Sequence, residues 1–204
     1  MNTCISKKVA LLIAVAISVM VSVSTACAGP TAGNILIVYS SYTGNTKAAC
    51  EALQKSLGAK VIEVKDLKNP PENLKVEKGA KPKWVLDTEI EPKSANLSSN
   101  SCIVLGSPVW MATLGPAMQK FIELNRFDGK KVILLTTTNA SLNEEQRQKI
   151  KDLVKAKGGN VVEYYEILAQ DKVNEKKVEK TKEQITEEAL KLAPEIGKAF
   201  SASK

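Results

Sequence analysis

The chain has 204 residues, 44% of them apolar, and a formal net charge of +7 at pH 7. That length suits one globular domain with its own core, and the lack of any histidine excludes a Ser-His or Cys-His nucleophilic pair and leaves a metal site little to work with. All but two of the 29 cations are lysines, Arg126 and Arg147 being the others, and acids lie among them throughout; this describes a solvated surface, not a nucleic-acid interface built on bidentate arginine contacts.

Residues 1–28 read as an export signal. Lys7 and Lys8 precede an uncharged apolar stretch, 9–23, which ends in STACAGP: a basic start, an apolar middle and a small-residue cleavage site. Cleavage after Ala28 leaves 29–204 as the folded domain, with a formal charge of +5. Two alternatives stay open, a lipid on Cys27 and an uncleaved anchor, although the apolar stretch is short for a membrane span. In either case the basic flank places the domain outside the cytoplasmic membrane, with only this segment touching lipid. Cys4 and Cys27 lie in the leader; Cys50 and Cys102 remain, neither in a C-x-x-C pair.

NILIVY, 34–39, is the continuous apolar run of a strand buried on both faces. A helix over 46–57 puts Cys50, Leu53 and Leu57 on one side. Between them lies SSYTGNT, 40–46, with six polar residues and a glycine where one cap would serve. Unpaired N–H groups at a helix start, Gly44 for close approach, and the hydroxyls of Ser41, Thr43 and Thr46 make an anion site. KVIEV, 60–64, is the second strand. The polar stretch to residue 100 carries Pro70, Pro71, Pro82 and Pro92, which a long helix would not hold. Its one apolar cluster, Trp84, Val85 and Leu86, is expected to anchor it on the sheet.

CIVLG, 102–106, is the third strand, followed by a helix over 114–124 with Leu114, Met118, Phe121 and Ile122 turned inward. KVILLT, 131–136, is the fourth strand and 144–157 the next helix. VVEYYEIL, 161–168, is the fifth strand, read as an edge because Glu163 and Glu166 interrupt it. Lysine-rich DKVNEKKVEKTK then links to a final helix over 183–200.

Five strands alternating with helices define an α/β fold with a parallel sheet and right-handed crossovers. Ligands of such sheets bind beyond the C-terminal strand ends. The loops SSYTGNT, GSPVWMATLGP and TTNASLN are therefore expected to share one site. A Walker loop needs Gly-Lys-Ser/Thr where this chain has TGNTK, and a phosphoacceptor receiver needs acids that VYSSY and LGSPV lack.

At these loops the sequence resembles the flavodoxin family. Ser41, Thr43, Gly44 and Thr46 match the family's phosphate-loop pattern, Ser/Thr-x-Thr-Gly-x-Thr. GSPVW resembles its second loop, where an aromatic residue stacks on the isoalloxazine of FMN. The resemblance covers about residues 34–200 and implies a flavodoxin-like three-layer sandwich, with a five-stranded parallel sheet in the order 2-1-3-4-5 and FMN as cofactor. It assigns the phosphate to Ser41, Tyr42, Thr43, Gly44, Asn45 and Thr46, the ring to Pro108, Val109 and Trp110, and the ring's pyrimidine edge to Thr137, Thr138 and Asn139. Lys47, awkward in a helix's first turn, is tolerable beside an anion. The third loop departs from the family: many flavodoxins carry a second stacking tyrosine there, and this chain has none. Tyr42 or Met111 is left to cover part of that face.

The resemblance implies an exported electron carrier serving a redox protein or a small-molecule acceptor. Its alternative is an NAD(P)H-dependent FMN or quinone oxidoreductase of the same fold; a third reading is a binding module that has lost its flavin. No catalytic acid, base or nucleophile is named.

Overall fold

The computed structural model describes residues 34–74 and 85–202; residues 1–28 and Trp84 lie outside them. β1 (Ile35–Tyr39) is buried along its whole length, as its unbroken apolar run requires of a strand covered on both faces. α1 (Asn45–Leu57), β2 (Lys60–Glu63) and β3 (Lys65–Asp66) come next, then a 3-10 turn (Pro71–Leu74) and β4 (Ile90–Glu91). β5 (Cys102–Trp110) turns into β6 (Thr113–Leu114) and α2 (Pro116–Leu124). After these lie β7 (Lys131–Thr138), α3 (Glu144–Lys155) and β8 (Asn160–Leu168). The chain ends with β9 (Gln170–Val173), β10 (Lys176–Glu179) and α4 (Lys182–Ser201).

The main sheet runs β2-β1-β5-β7-β8, and all four pairings are parallel. Counting only these long strands, that is the order 2-1-3-4-5, with β8 at the edge. Alternate residues of each strand face opposite layers. Ile35, Ile37, Val104, Ile133 and Leu135 pack against Cys50 and Leu53 of α1 and Ile185, Ala189 and Ile196 of α4. Leu36, Val38, Ile103, Leu105 and Leu134 pack against Met118, Phe121 and Ile122 of α2 and Ile150 and Val154 of α3. The result is a three-layer sandwich.

Several segments differ from the sequence-based expectation. Val85 and Leu86 are 41% and 64% exposed, so they do not anchor the polar stretch. The buried Asp66 does that work. Its carboxylate accepts from the backbone N–H of Asn69 at 2.8 Å, from Asn69 Nδ2 and from the Thr88 hydroxyl, and Asn69 in turn brackets the Val85 backbone at 2.8 and 2.9 Å. Leu114 belongs to β6, not to α2, because Pro116 at the first helical position starts the helix after Gly115. The lysine-rich link from Asp171 pairs β9 with β10 as an antiparallel hairpin. Its turn, Asn174 and Glu175, has positive φ at both residues, the geometry of the tight hairpin turn that Asn favours.

Gly106 is where β5 meets α1 and β1. A Cβ there would overlap the Cys50 sulfur and lie 2.9 Å from the Tyr39 Cβ. The missing side chain lets the strand end lie close against the start of α1, which sets the spacing of the loops above it.

Candidate functional site

The loops after β1, β5 and β7 open onto one cleft of about 720 Å3. Eight of the twelve residues that the sequence assigns to the cofactor line it: Thr43, Asn45, Pro108, Val109, Trp110, Thr137, Thr138 and Asn139. Ser41, Tyr42, Gly44 and Thr46 do not line it, and Ser41 and Tyr42 border a separate pocket beside Asp66.

Gly44, just before α1, lies in the left-handed region at φ 87° and gives the helix no side-chain cap. The hydrogen-bond ladder starts with Ala48 N–H donating to the Gly44 carbonyl at 3.0 Å, so three N–H groups precede it. That of Lys47 donates to Ser41 Oγ at 3.2 Å. Those of Asn45 and Thr46 meet no acceptor among the described residues. By contrast, α3 and α4 each start with a complete capping box, Asn143 with Gln146 and Thr181 with Gln184. The start of α1 is thus left with donors and the positive end of its dipole, which is what an anion requires.

Two predicted hydroxyl and cation roles fall elsewhere. The Thr46 hydroxyl is buried and bonded to the Thr137 hydroxyl at 2.8 Å, tying the first loop to β7. Lys47 turns its ammonium towards Glu51, one turn further along α1, and Glu63, at the end of β2, at 3.9 and 3.8 Å. The cation at the first loop is Lys182, from the start of α4. It donates to the Thr43 carbonyl at 2.7 Å and to Asn45 Oδ1. Sequence reasoning missed it, since 139 residues separate the partners and no local pattern marks the contact.

β5 runs on past Gly106, and its last residues pair with Leu114 and Thr113 of β6. Met111 and Ala112 make the turn with φ of 50° and 62°, both positive as the two-residue hairpin requires. No Gly, Asn or Asp advertises that turn, so it is silent in the sequence. The hairpin holds Trp110 at the cleft wall, and Tyr42 backs the indole with a centroid distance of 4.2 Å and a tilt of 35°. Tyr42 therefore supports Trp110 and does not face it across the cleft. Met111, 71% exposed, lies along the wall. The Tyr42 hydroxyl donates to Asp66 Oδ2 at 2.6 Å and accepts from Ala117 N–H at 3.2 Å. Burial, reinforced by that carboxylate, pushes its pKa far above the ordinary phenol value. It is a fixed neutral donor, not a proton shuttle.

Thr137 and Thr138 lie at the end of β7 instead of in the loop beyond it, because Thr137 pairs with Pro108 and Thr138 with Leu168. Glu166 braces the loop after β7. It accepts from Leu142 N–H at 3.0 Å and pairs with Arg147 at 2.8 Å. The acid that reads as an interruption of β8 is a strut for the third loop. Among the described residues no cluster of His, Cys, Asp or Glu could hold a metal ion.

A cleft at the C-terminal strand ends, with an anion cradle at one end and an indole on its wall, defines a domain that binds a phosphorylated aromatic cofactor. The family model described as Flavodoxin matches residues 34–185. The chain belongs to the flavodoxin family. No curated protein matches it. Among solved structures it is similar to a putative flavoprotein from Bacteroides uniformis, with a TM-score of 0.52 and 16% identity over 76% of this chain and 96% of that one. It is also similar to a flavoprotein in complex with FMN from Lactobacillus acidophilus, with a TM-score of 0.50 and 18% identity over 65% of this chain and 92% of that one. At such identities the likeness is one of fold.

The family's cofactor is FMN, and the residues present fit it. The uncapped start of α1 suits the phosphate, and Trp110 offers a flat apolar wall for the ring.

Proposed function

We propose that this protein is an FMN-dependent electron carrier, exported across the cytoplasmic membrane, that serves a redox protein or a small-molecule acceptor. The observation that carries the reading is the single cleft shared by the loops after β1, β5 and β7. Bound FMN supplies one- and two-electron redox chemistry. The N–H groups of Asn45 and Thr46 hold the phosphate, and Gly44 lets the backbone approach it. Trp110, fixed by Tyr42 and the β5–β6 turn, orients the ring. Asn139 offers hydrogen bonds to its polar edge, while the Thr137 and Thr138 hydroxyls, engaged with Thr46 and Ala140, hold the loop in place. Export is supported by Lys7 and Lys8, the apolar stretch after them and the small residues up to Ala28.

One observation favours a second reading, an NAD(P)H-dependent FMN or quinone oxidoreductase. Among the described residues lining the cleft, Trp110 is the only aromatic one, which leaves the opposite side of the ring open to a substrate. The test uses protein recovered from the extracytoplasmic fraction of expressing cells and loaded with FMN. We expect it there, beginning at Gly29, passing electrons from a chemical reductant to a one-electron acceptor without turning over NADPH. Retention in the cytoplasm contradicts export, and steady NADPH oxidation with a quinone acceptor selects the enzyme.

A further inference from the structure

We propose that Lys182 is the counter-charge that makes this site select the phosphorylated flavin, a role that rests on the proposed FMN site. Its ammonium sits on the first loop, donating to the Thr43 carbonyl at 2.7 Å and to Asn45 Oδ1. Both acceptors are neutral. Two residues earlier in the chain, Lys180 has acids for the same purpose: its nearly buried ammonium lies 3.2 Å from Asp171 and 2.5 Å from Glu188.

Three positive features converge at Lys182. It is the first residue of α4, where a cation opposes the helix dipole. It reaches the first residue of α1, a second positive helix end without a side-chain cap. The third is its own charge. Burial lowers the pKa of this ammonium more than Glu179 and Glu183 raise it, as expected where local counter-charge is incomplete. A phosphate completes it.

The placement is also built in. The Thr181–Gln184 capping box fixes where α4 begins, with the Thr181 N–H donating to Gln184 Oε1 at 2.8 Å. Gly44 leaves room for the lysine stem, since a Cβ there would come within 3.2 Å of Lys182 Cε. Lys182 and Glu179 both line the cleft beside Thr43 and Asn45.

The test compares FMN and riboflavin binding to the full chain and to its Lys182→Met and Lys182→Arg variants. Methionine keeps most of the stem and removes the charge; arginine keeps the charge. Losing one charge-assisted hydrogen bond at an exposed site should weaken FMN about tenfold in Lys182→Met. Riboflavin affinity should stay within about twofold, and Lys182→Arg should stay within about threefold of the parent for FMN. The salt dependence of FMN binding should also flatten in Lys182→Met. An unchanged FMN affinity, or an equal loss for both flavins, would overturn the counter-charge role while leaving the FMN site standing. If the parent chain binds neither flavin, the underlying reading falls and this proposal with it.

Discussion

FMN should bind this protein about two orders of magnitude more tightly than riboflavin, which carries the same ring and no phosphate. Most of the difference comes from the first turn of α1, to which the Lys182 charge adds. The N–H groups of Asn45 and Thr46 are donors without described acceptors, and hydrogen bonds to a charged acceptor contribute about 1.5–3 kcal/mol each. Desolvating the phosphate at a partly open loop takes back part of that sum, leaving about 3 kcal/mol, or roughly a hundredfold. Thr43 is exposed while Thr46 is buried and engaged with Thr137, so Thr43 is the first-loop hydroxyl placed to add to this preference. Paired titrations followed by flavin fluorescence check it, and added salt should narrow the gap. Equal affinities would mean that the start of α1 plays no part in binding.

Gly106→Ala should destabilise the fold by about 2–3 kcal/mol, which for a chain of this size lowers Tm by roughly 5–10 °C. A methyl group at this position would overlap the sulfur of Cys50, a fully buried side chain on α1, and would crowd Tyr39 on β1 at 2.9 Å. Neither neighbour has an open space to move into, since both belong to the same packed layer. Burial raises the Cys50 thiol pKa well above its usual value, so the sulfur is a neutral packing atom here. Cys50→Ala should therefore relieve part of the loss when combined with Gly106→Ala, a coupling that a double-mutant cycle measures by thermal melting. If the double variant melts no higher than Gly106→Ala alone, the contact with Cys50 is not the cause.

Where the physics is local, the fold is legible in the sequence. NILIVY and KVILLT are apolar without interruption, and only a strand covered on both faces tolerates that. The alternation of strand and helix sets the sheet's parallel sense, and the flavodoxin-like loops supply its strand order. The illegible features are contacts between distant residues or turns without their usual residues. Met111 and Ala112 form a tight hairpin turn with neither Gly nor Asn, so the sequence pattern ends β5 too early and leaves Trp110 in a loop. Tyr42 reads as available to a ligand, yet Asp66 and Trp110 claim it from 24 residues away and from across the sheet end. Lys47 sits next to the phosphate loop in the chain and points away from it; Lys182 is remote in the chain and lies on it. Charge at a site depends on which element delivers it, and helix packing between α1 and α4 decides that here.

If the cleft holds a flavin against Trp110, the chain's two tryptophans report it directly. FMN is titrated into the parent chain and into the single-tryptophan variants Trp84→Phe and Trp110→Phe, while indole and flavin emission are monitored together. Saturation is expected at one FMN per chain, with strong quenching of both signals in the parent and in Trp84→Phe. In Trp110→Phe the remaining indole should respond weakly, and binding should weaken by less than the ~1 kcal/mol of a whole aromatic stacking contact, because Phe keeps a smaller ring. Equal quenching through the two tryptophans, or no saturable quenching in the parent chain, would contradict that placement of the flavin.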